Sequence, residues 1–247
     1  MKSDELKLAF VTGTSSGIGL AAAYELLKRR WEVIGAARRD SAINNNNYTH
    51  LSIDLTDIDN ILNMIPSMIG ERLSSKKYER IALVNNAADT GELLRMEQLD
   101  PKKLSDLYKL NVILPVWLMG FFYKNKAKES RLRIINISSG AAHKEYPGMA
   151  AYCGSKAALL MSGKVFAGEN NEDENLGIMS YEPGTVDTEM QEKARSQPED
   201  KFPSVNVFQS MKENNTLAAP EDVAIEIADF LEKNESGFSQ RRFGIKT

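Results

Sequence analysis

Short apolar runs alternate with longer helical patterns along most of this sequence. The runs predict seven β-strands, at Leu8–Thr12, Glu32–Ala37, Tyr48–Ile53, Ile81–Asn85, Leu132–Ser138, Gly177–Glu182 and Phe238–Phe243. Strands that alternate with helices are typical of βαβ units, in which neighbouring strands are parallel. The pattern therefore predicts an α/β fold with a doubly wound, mostly parallel seven-stranded sheet and helices on both faces.

Helical periodicity fills the gaps between the strands. It predicts helices at Gly17–Arg30, Ile58–Leu73, Pro101–Lys126, Ala150–Gly168 and Glu221–Lys233. Pro66 is expected to kink or split the second helix, because proline lacks a backbone N–H and its ring clashes with the preceding turn. The stretch 191–216 is polar and weakly periodic, so we expect either a mobile surface segment or a lid over a site.

Composition and charge narrow the classes of function. The chain has 247 residues, a length that suits one α/β domain. Its net charge of −3 provides no basic field for binding nucleic acid or an anionic membrane. The single cysteine, Cys153, cannot form an internal disulfide, and the first residues lack the apolar core of a signal peptide. We therefore expect a cytoplasmic protein without nucleic-acid, membrane or metal partners.

A glycine-rich segment joins the first strand to the first helix. Residues 12–19 read Thr-Gly-Thr-Ser-Ser-Gly-Ile-Gly. Glycines let the backbone approach a pyrophosphate, and the helix N-terminus adds N–H donors, although a plain tight turn is the alternative. Together with the doubly wound sheet, this segment predicts a single Rossmann-type domain over residues 1–247. The expected cofactor contacts are Gly13, Ser15, Ser16, Gly17, Ile18 and Gly19.

The end of the second strand bears on the choice of dinucleotide. An NAD site usually has an acid here to accept from the ribose 2′-hydroxyl, but Arg38 and Arg39 come before the first acid, Asp40. Two guanidinium groups suit the 2′-phosphate of NADP, although they could simply solvate the strand end. The sequence therefore favours NADP over NAD, with Asp54 and Leu55 after the third strand expected to meet the adenine.

A tyrosine and a lysine mark a candidate reactive centre. Tyr152 and Lys156 are four residues apart and share one face of the predicted helix. The pair alone is weak evidence, since Tyr24 and Lys28 repeat the spacing on the first helix, where we interpret it as structural. Ser139 ends a predicted strand 13 residues before Tyr152, and ligands of open α/β sheets bind at the carboxyl ends of strands.

These motifs together resemble the short-chain dehydrogenase/reductase family. Asn-Asn-Ala-Ala at 85–88, Asn111 and Pro-Gly-Thr-Val-Asp-Thr at 183–188 complete the family's pattern in its usual order. Segments 152–158 and 180–191 are similar to its sepiapterin reductase and benzil reductase branch. Two residues depart from the pattern: Ala88 stands where glycine is usual, and Ser16 where NADP-dependent relatives often have a basic residue.

The resemblance implies catalytic roles for four residues. Tyr152 would give its proton to a carbonyl oxygen as NADPH supplies hydride, and Lys156 would lower the pKa of the phenol and hold the nicotinamide ribose. Ser139 would polarise the carbonyl, or alternatively cap a turn. Asn111 would hold a water that connects Lys156 to solvent, or alternatively bond backbone groups inside its helix. The neighbouring His143 could meet substrate, or lie on the surface.

Further cofactor contacts also follow from the resemblance alone. Asn85 and Ala87 would line the ribose side of the dinucleotide. The later motif would border the nicotinamide, with Val186 and Thr188 on the carboxamide and with Pro183 and Gly184 beside them.

The resemblance implies NADPH-dependent reduction of a ketone or a vicinal dicarbonyl. Sepiapterin reductases bind the pterin through a C-terminal aspartate, and segment 236–243 has no acid at that place, so we favour a dicarbonyl over a pterin. A sepiapterin reductase activity and a non-enzymatic NADP(H) sensor are the alternatives. The resemblance also implies a homodimer, or a tetramer, because the helices at 101–126 and 150–168 form the dimer interface in the family. Burial of their apolar residues against the sheet alone is the alternative, and the sequence does not separate the two.

Overall fold

Parallel strands form one seven-stranded sheet in the computed structural model, which describes residues 6–245. The strands are β1 (Lys7–Thr12), β2 (Glu32–Ala37), β3 (Tyr48–Ser52), β4 (Arg80–Asn85), β5 (Arg131–Ile137), β6 (Leu176–Glu182) and β7 (Gly237–Arg242). Their order is β3-β2-β1-β4-β5-β6-β7, and every neighbouring pair is parallel. The strand order reverses between β1 and β4, which is where doubly wound sheets bind ligands.

Helices cover both faces of the sheet. They are α1 (Gly17–Lys28), α2 (Ile58–Ser74), α3 (Pro101–Tyr108), α4 (Leu114–Asn125), α5 (Ala150–Glu169), α6 (Glu189–Arg195), α7 (Val205–Glu213) and α8 (Pro220–Glu232). Buried side chains of α1 and α8 form the core on one face, and those of α2 and α4 form the core on the other. The predicted doubly wound α/β fold is confirmed. Among the described helices, none has the length and apolar character that crossing a bilayer requires.

Helix α2 runs through Pro66 without a break, so the expectation that this proline would split the helix is wrong. Ile61, Ile65, Ile69 and Leu73 recur every four residues and are almost fully buried against the sheet. Burial of such a side chain contributes about 1.5–3 kcal/mol, whereas an interior proline costs about 3 kcal/mol. The buried stripe therefore outweighs the lost backbone hydrogen bond.

The predicted helix at 101–126 is three consecutive pieces. Pro101 occupies the first turn of α3, and Asp100 caps it by accepting hydrogen bonds from the backbone N–H groups of Lys102 and Lys103. A π-helical turn over 109–113 then connects α3 to α4. A π turn inserts a residue into the helical repeat, which changes the direction of the side chains that it carries. Asn111 lies in this turn.

Two helices, α6 and α7, lie in the stretch 191–216, for which the sequence predicted no regular structure. Ala194, Phe202 and Val205 from this stretch are buried in a small apolar cluster with Leu93 and Met149. These partners are distant in the sequence, so local periodicity could not reveal the packing that stabilises the two helices. The stretch forms one wall of the cleft described below, which is the position expected of a lid.

Close packing of α1 on the loop after β1 generates a prediction about Gly19. A Cβ atom there would overlap the Gly13 carbonyl oxygen and the Asn86 side-chain amide, both of which are held by hydrogen bonds. We expect Gly19→Ala to lower the free energy of unfolding in urea by about 1–3 kcal/mol. Gly70→Ala is the control, because a Cβ on this part of α2 meets nothing, and it should raise stability by about 0.5–1 kcal/mol. Equal stability of the two variants would contradict the close approach of α1 to the loop after β1 at Gly19.

Candidate active site

The carboxyl ends of the strands open into a cleft of about 1120 Å³. The loop after β1, the end of β2, the loop after β4, the turn after β5 and the loop after β6 all border it. Of the residues that the sequence singled out, the following line this cleft: Gly13, Ser15, Ser16, Gly17, Ile18, Arg38, Arg39, Asp54, Leu55, Ala87, Ser139, Tyr152, Lys156, Pro183, Gly184, Val186 and Thr188. The structure therefore brings nearly all of the candidates to one place.

Asn85 is one candidate that the structure places elsewhere. It is buried at the end of β4, and its Nδ2 donates to Asn136 Oδ1 on β5 at 2.8 Å. Successive residues of a strand point to opposite faces of the sheet, and Asn85 points into the layer between the sheet and the helices. Asn86 and Ala87, which follow the strand end, border the cleft instead. The sequence analysis missed Asn86, although it belongs to the same motif.

Gly19 also lies behind the cleft lining, where it lets α1 approach the loop after β1. The loop itself turns at Gly13 (φ 78°) and Gly17 (φ 57°), a left-handed backbone that favours glycine. A Cβ on Gly13 would lie 2.8 Å from Asn86 Nδ2, and one on Gly17 would lie 3.2 Å from Thr188 Cγ2. The backbone is thus exposed toward the cleft without side chains in the way.

The N-terminus of α1 can receive an anion. Its N-cap residue, Ser16, makes no side-chain hydrogen bond to the first turn. The first backbone N–H groups of a helix have no partner within the helix, and they carry the positive end of its dipole. A bare glycine loop followed by an uncapped helix N-terminus is a donor set that suits the pyrophosphate of a dinucleotide.

Both candidate arginines border the cleft beside this loop. Arg39 donates to Ser16 Oγ at 3.1 Å and forms a two-pronged ion pair with Glu189, at 2.9 and 3.4 Å. The guanidinium of Arg38 lies 3.9 Å from the carboxylate of Asp54. Glu189 is 150 residues away in the sequence, so no local signal could have assigned it to this end of the site.

Asn111 does not line the cleft but connects two elements that do. Its Oδ1 accepts from the backbone N–H of Asp89 at 3.0 Å, and its Nδ2 donates to the Asp89 carbonyl at 2.9 Å and to Ser155 Oγ at 3.0 Å. The π turn directs this buried side chain between the loop after β4 and helix α5. Asn111 thus bonds backbone groups, but they belong to another loop and not to its own helix. A water held between Asn111 and Lys156 stays a prediction. Asn111 therefore holds Ser155, and with it the adjacent Lys156, in position.

Ser139, Tyr152 and Lys156 meet at the β5 side of the cleft. Lys156 is 2% exposed, and its Nζ donates to the Ile137 carbonyl at 2.8 Å and lies 5.6 Å from the centre of the Tyr152 ring. Ser139 Oγ accepts from the Ala141 backbone N–H at 3.1 Å, so it caps the short turn after β5. The same serine also acts on Tyr152, since it lowers the pKa of the phenol. Ser139 therefore caps the turn and also acts on Tyr152.

Burial dominates the protonation of this pair. It raises the pKa of Tyr152 to about 12, while the hydrogen bond with Ser139 acts in the opposite direction. Burial also lowers the pKa of Lys156 to about 8. In this structure the Lys156 ammonium is bonded to the Ile137 carbonyl and is itself desolvated, and the pKa of the phenol is governed by burial and by Ser139. The lowering of the phenol pKa by Lys156, which the resemblance implies, stays a prediction. Tyr152 is protonated at neutral pH, as a proton donor must be.

The sequence analysis also missed a buried acid in the cleft. Glu182, at the end of β6, is 8% exposed and borders the cleft. Its Oε1 accepts from Gln240 Nε2 at 3.1 Å and lies 3.1 Å from His143 Nε2. His143 lies on the surface, as one of the two alternatives held, where it pairs with this carboxylate and does not border the cleft. These contacts among Glu182, Gln240 and His143 connect the turn after Ser139 to β6 and β7.

An apolar wall faces the reactive residues. Tyr146, Met149, Phe208 and Met211 border the cleft, and the Tyr146 and Phe208 rings lie 6.3 Å apart. Phe208 belongs to α7, so the helices that the sequence did not predict supply part of this wall. Aromatic and thioether side chains provide a large apolar surface without hydrogen-bonding demands of their own, apart from the tyrosine hydroxyl.

Comparison with known sequences decides the family. A sequence model described as short chain dehydrogenase matches residues 7–199. The chain belongs to the short-chain dehydrogenase family. It is 33% identical over 231 residues to a benzil reductase ((S)-benzoin forming) of Bacillus subtilis (strain 168), with 92% of this chain and 94% of that protein covered.

Other members of the short-chain dehydrogenase family are also similar. A sepiapterin reductase of Xenopus tropicalis is 30% identical over 159 residues, which cover 62% of this chain and 59% of that protein. A solved structure of 4-hydroxyisoleucine dehydrogenase complexed with NADH matches with a TM-score of 0.76 at 25% identity and covers 96% of both chains. The resemblance to the family and to its benzil reductase and sepiapterin reductase branch is confirmed.

The position of Asn111 in this short-chain dehydrogenase generates a prediction. Asn111→Ala removes three hydrogen bonds and leaves the Asp89 backbone N–H and carbonyl without this partner. We expect the free energy of unfolding in urea to fall by about 2–4 kcal/mol. Asn125→Ala, which removes one side-chain bond at the end of α4, should cost less than about 1 kcal/mol. A loss at Asn111 no larger than that at Asn125 would argue against the connecting role.

Proposed function

We propose that this chain is an NADPH-dependent carbonyl reductase, which reduces a ketone or a vicinal dicarbonyl to an alcohol. One observation carries the proposal: Ser139, Tyr152 and Lys156 border the same cleft as the bare glycine loop and the two arginines. In the sheet order, β5 lies on one side of β1 and β2 lies on the other. The cleft thus has a reactive end after β5 and a cationic end after β2, with the anion-binding loop between them.

A nicotinamide dinucleotide would supply the hydride when it is bound. The loop 13–19 would hold its pyrophosphate, Arg38 and Arg39 its 2′-phosphate, and Asp54 and Leu55 its adenine. Lys156 would bond the nicotinamide ribose, and the segment 183–188 would border the carboxamide. The cleft of about 1120 Å³ is large enough for a dinucleotide together with a small substrate. The two guanidinium groups favour NADPH over NADH.

The proton in the reaction comes from Tyr152. Ser139 donates a hydrogen bond to the substrate carbonyl oxygen, which polarises the C=O bond as it gains negative charge. Tyr152 then gives its phenolic proton to that oxygen, and the phenolate that remains recovers a proton from solvent. With a pKa of about 12, the phenol is fully protonated at neutral pH and ready for the reduction. The bond to the Ile137 carbonyl holds the Lys156 ammonium 5.6 Å from the centre of the Tyr152 ring.

The substrate that we favour is an aromatic or aliphatic dicarbonyl. The wall formed by Tyr146, Met149, Phe208 and Met211 is suited to an apolar ring or chain. The benzil reductase of Bacillus subtilis, whose name states such a substrate, is similar over most of both chains. A second candidate is reduction of a pterin side chain. Glu182 favours it, because this carboxylate in the cleft could accept from the amino group of a pterin although the C-terminal segment has no acid.

A substrate panel with Tyr152→Phe tests the proposal. We expect wild-type protein to consume NADPH with benzil-like diketones faster than with sepiapterin, as measured by loss of NADPH absorbance. Tyr152→Phe should lower kcat by about 100-fold or more and leave NADPH binding unchanged, because the proton donor is lost and the ring is kept. Tyr24→Phe is the matched control from the exposed second Tyr-x3-Lys pair, and it should retain full activity.

Three outcomes would each count against a different part of the proposal. Sepiapterin turned over faster than the diketones would transfer the assignment to the pterin candidate. Full turnover by Tyr152→Phe would exclude this residue as the proton donor. NADPH binding without turnover of any carbonyl compound would favour a non-enzymatic sensor.

We also propose that two copies associate through the outer faces of α4 and α5. Val116, Met161 and Val165 on these helices, with Ile113 beside them, are between 39% and 59% exposed. Exposed aliphatic side chains on adjacent helices are typical of a surface that a second subunit covers. A two-fold contact of this kind would bury the same residues in both copies.

A charge on this face should separate the copies. We expect wild-type protein to sediment as a dimer, and Met161→Glu with Val165→Glu to sediment as a monomer, because the dimer would bury like charges without partners. Ile225→Lys on α8 is the control: this residue is 44% exposed on another helix, and the substitution should leave the dimer intact. A monomeric wild-type protein would contradict the proposed association.

A further inference from the structure

An acidic side chain competes for the cationic end of the cleft. Glu189, the first residue of α6, forms an ion pair with Arg39 in which both carboxylate oxygens face the guanidinium, at 2.9 and 3.4 Å. Arg39 also donates to Ser16 Oγ at the start of α1. All three residues border the cleft. Glu189 therefore uses the forked face of Arg39 that would otherwise be available to an anion.

We propose that Glu189 is a specificity-determining residue that lowers the preference of this protein for NADPH over NADH. The inference rests on the proposed function, since it assumes that Arg39 receives the 2′-phosphate. That phosphate must displace the carboxylate from Arg39 or share the guanidinium with it. NADH has a hydroxyl at the same place and has no need of the cation. Glu189 therefore weakens the binding of NADPH and leaves the binding of NADH unaffected.

The ion pair is weak enough to be displaced. The side chains of Arg39 and Glu189 are 58% and 64% exposed, and an exposed pair changes an equilibrium by a factor of only about 1.5–5. Arg38 is the more available cation, because its contact with Asp54 is longer, at 3.9 Å. Glu189 therefore reduces NADPH binding without preventing it.

The backbone keeps Glu189 near the phosphate site even after the pair opens. Thr188, the preceding residue, packs over the glycine loop, where its Cγ2 would lie 3.2 Å from a Cβ on Gly17. On the other side of the cleft, Lys193 of the same helix pairs with Asp89 at 2.9 Å. With α6 held at both ends, the carboxylate can rotate away from Arg39 but stays near enough to compete for this guanidinium again.

Glu189→Gln tests the inference, because it removes the charge and keeps the shape. Dissociation constants of NADPH and NADH are measured by titration calorimetry for both proteins. We expect the constant for NADPH to fall about two- to fivefold, and the constant for NADH to stay within about 1.5-fold. Glu192→Gln, the same change one turn further along α6, should leave the ratio of the two constants unchanged.

A second background identifies the group through which Glu189 acts. In Arg39→Ala, the further change Glu189→Gln should have a much smaller effect on the ratio, because the contested guanidinium is gone. An unchanged ratio for Glu189→Gln in the wild-type background, or an equal shift for both cofactors, would overturn the inference. So would an equal effect in the Arg39→Ala background. A wild-type protein that binds NADH more tightly would instead contradict the proposed NADPH preference, and the change in ratio on Glu189→Gln would still decide the role of Glu189.

Discussion

The junction between the ends of β1 and β4 sets the geometry of the whole cleft. Thr12 Oγ1 accepts from the backbone N–H groups of Asn86 and Ala87, both at 3.0 Å, and Asn86 Nδ2 donates to the Thr12 carbonyl at 2.9 Å. These bonds fasten the two strand ends at the point where the strand order reverses. Because the chain leaves the sheet in opposite directions there, the two halves of the protein diverge and the cleft lies between them.

Burial then determines the chemistry at the reactive end. Tyr152 and Lys156 lie at the edge of the cleft with little exposure to solvent, which favours the neutral form of each group. The ammonium is held by a main-chain carbonyl of β5, so its position depends on the sheet rather than on another side chain. Asn111 adds a second constraint through Ser155. The reactive groups are thus fixed by the most rigid elements of the fold.

At the opposite end of the cleft, the charged side chains are in contact with solvent. Arg38, Arg39, Asp54 and Glu189 are largely exposed, so their pairs are screened and individually weak. Such charges can exchange partners at little cost, and they bear on which cofactor binds rather than on the reaction itself. The charged end and the reactive end of the cleft are separate because β2 and β5 lie on opposite sides of the β1–β4 junction in the sheet.

The sequence by itself determined the fold class, the strands, the glycine loop and the identity of Ser139, Tyr152 and Lys156 as candidates. These features depend on short-range periodicity and on motifs whose members are neighbours in the chain. Tertiary structure decided which motif residues reach the cleft: Asn85 is the last residue of β4 and bonds Asn136 inside the protein, whereas Asn86 lies in the loop after the strand and borders the cleft.

Contacts between distant segments decided which further helices form and which acidic residues belong to the site. Helices α6 and α7 form because Phe202 and Val205 find apolar partners around Met149, and α2 continues through Pro66 because its buried stripe packs against the sheet. The places of Glu182 and Glu189 in the site, and the pKa values of Tyr152 and Lys156, depend on burial and on charges brought together by folding. A sequence records which groups are present, but their separations and their exposure to water exist only once the chain has packed.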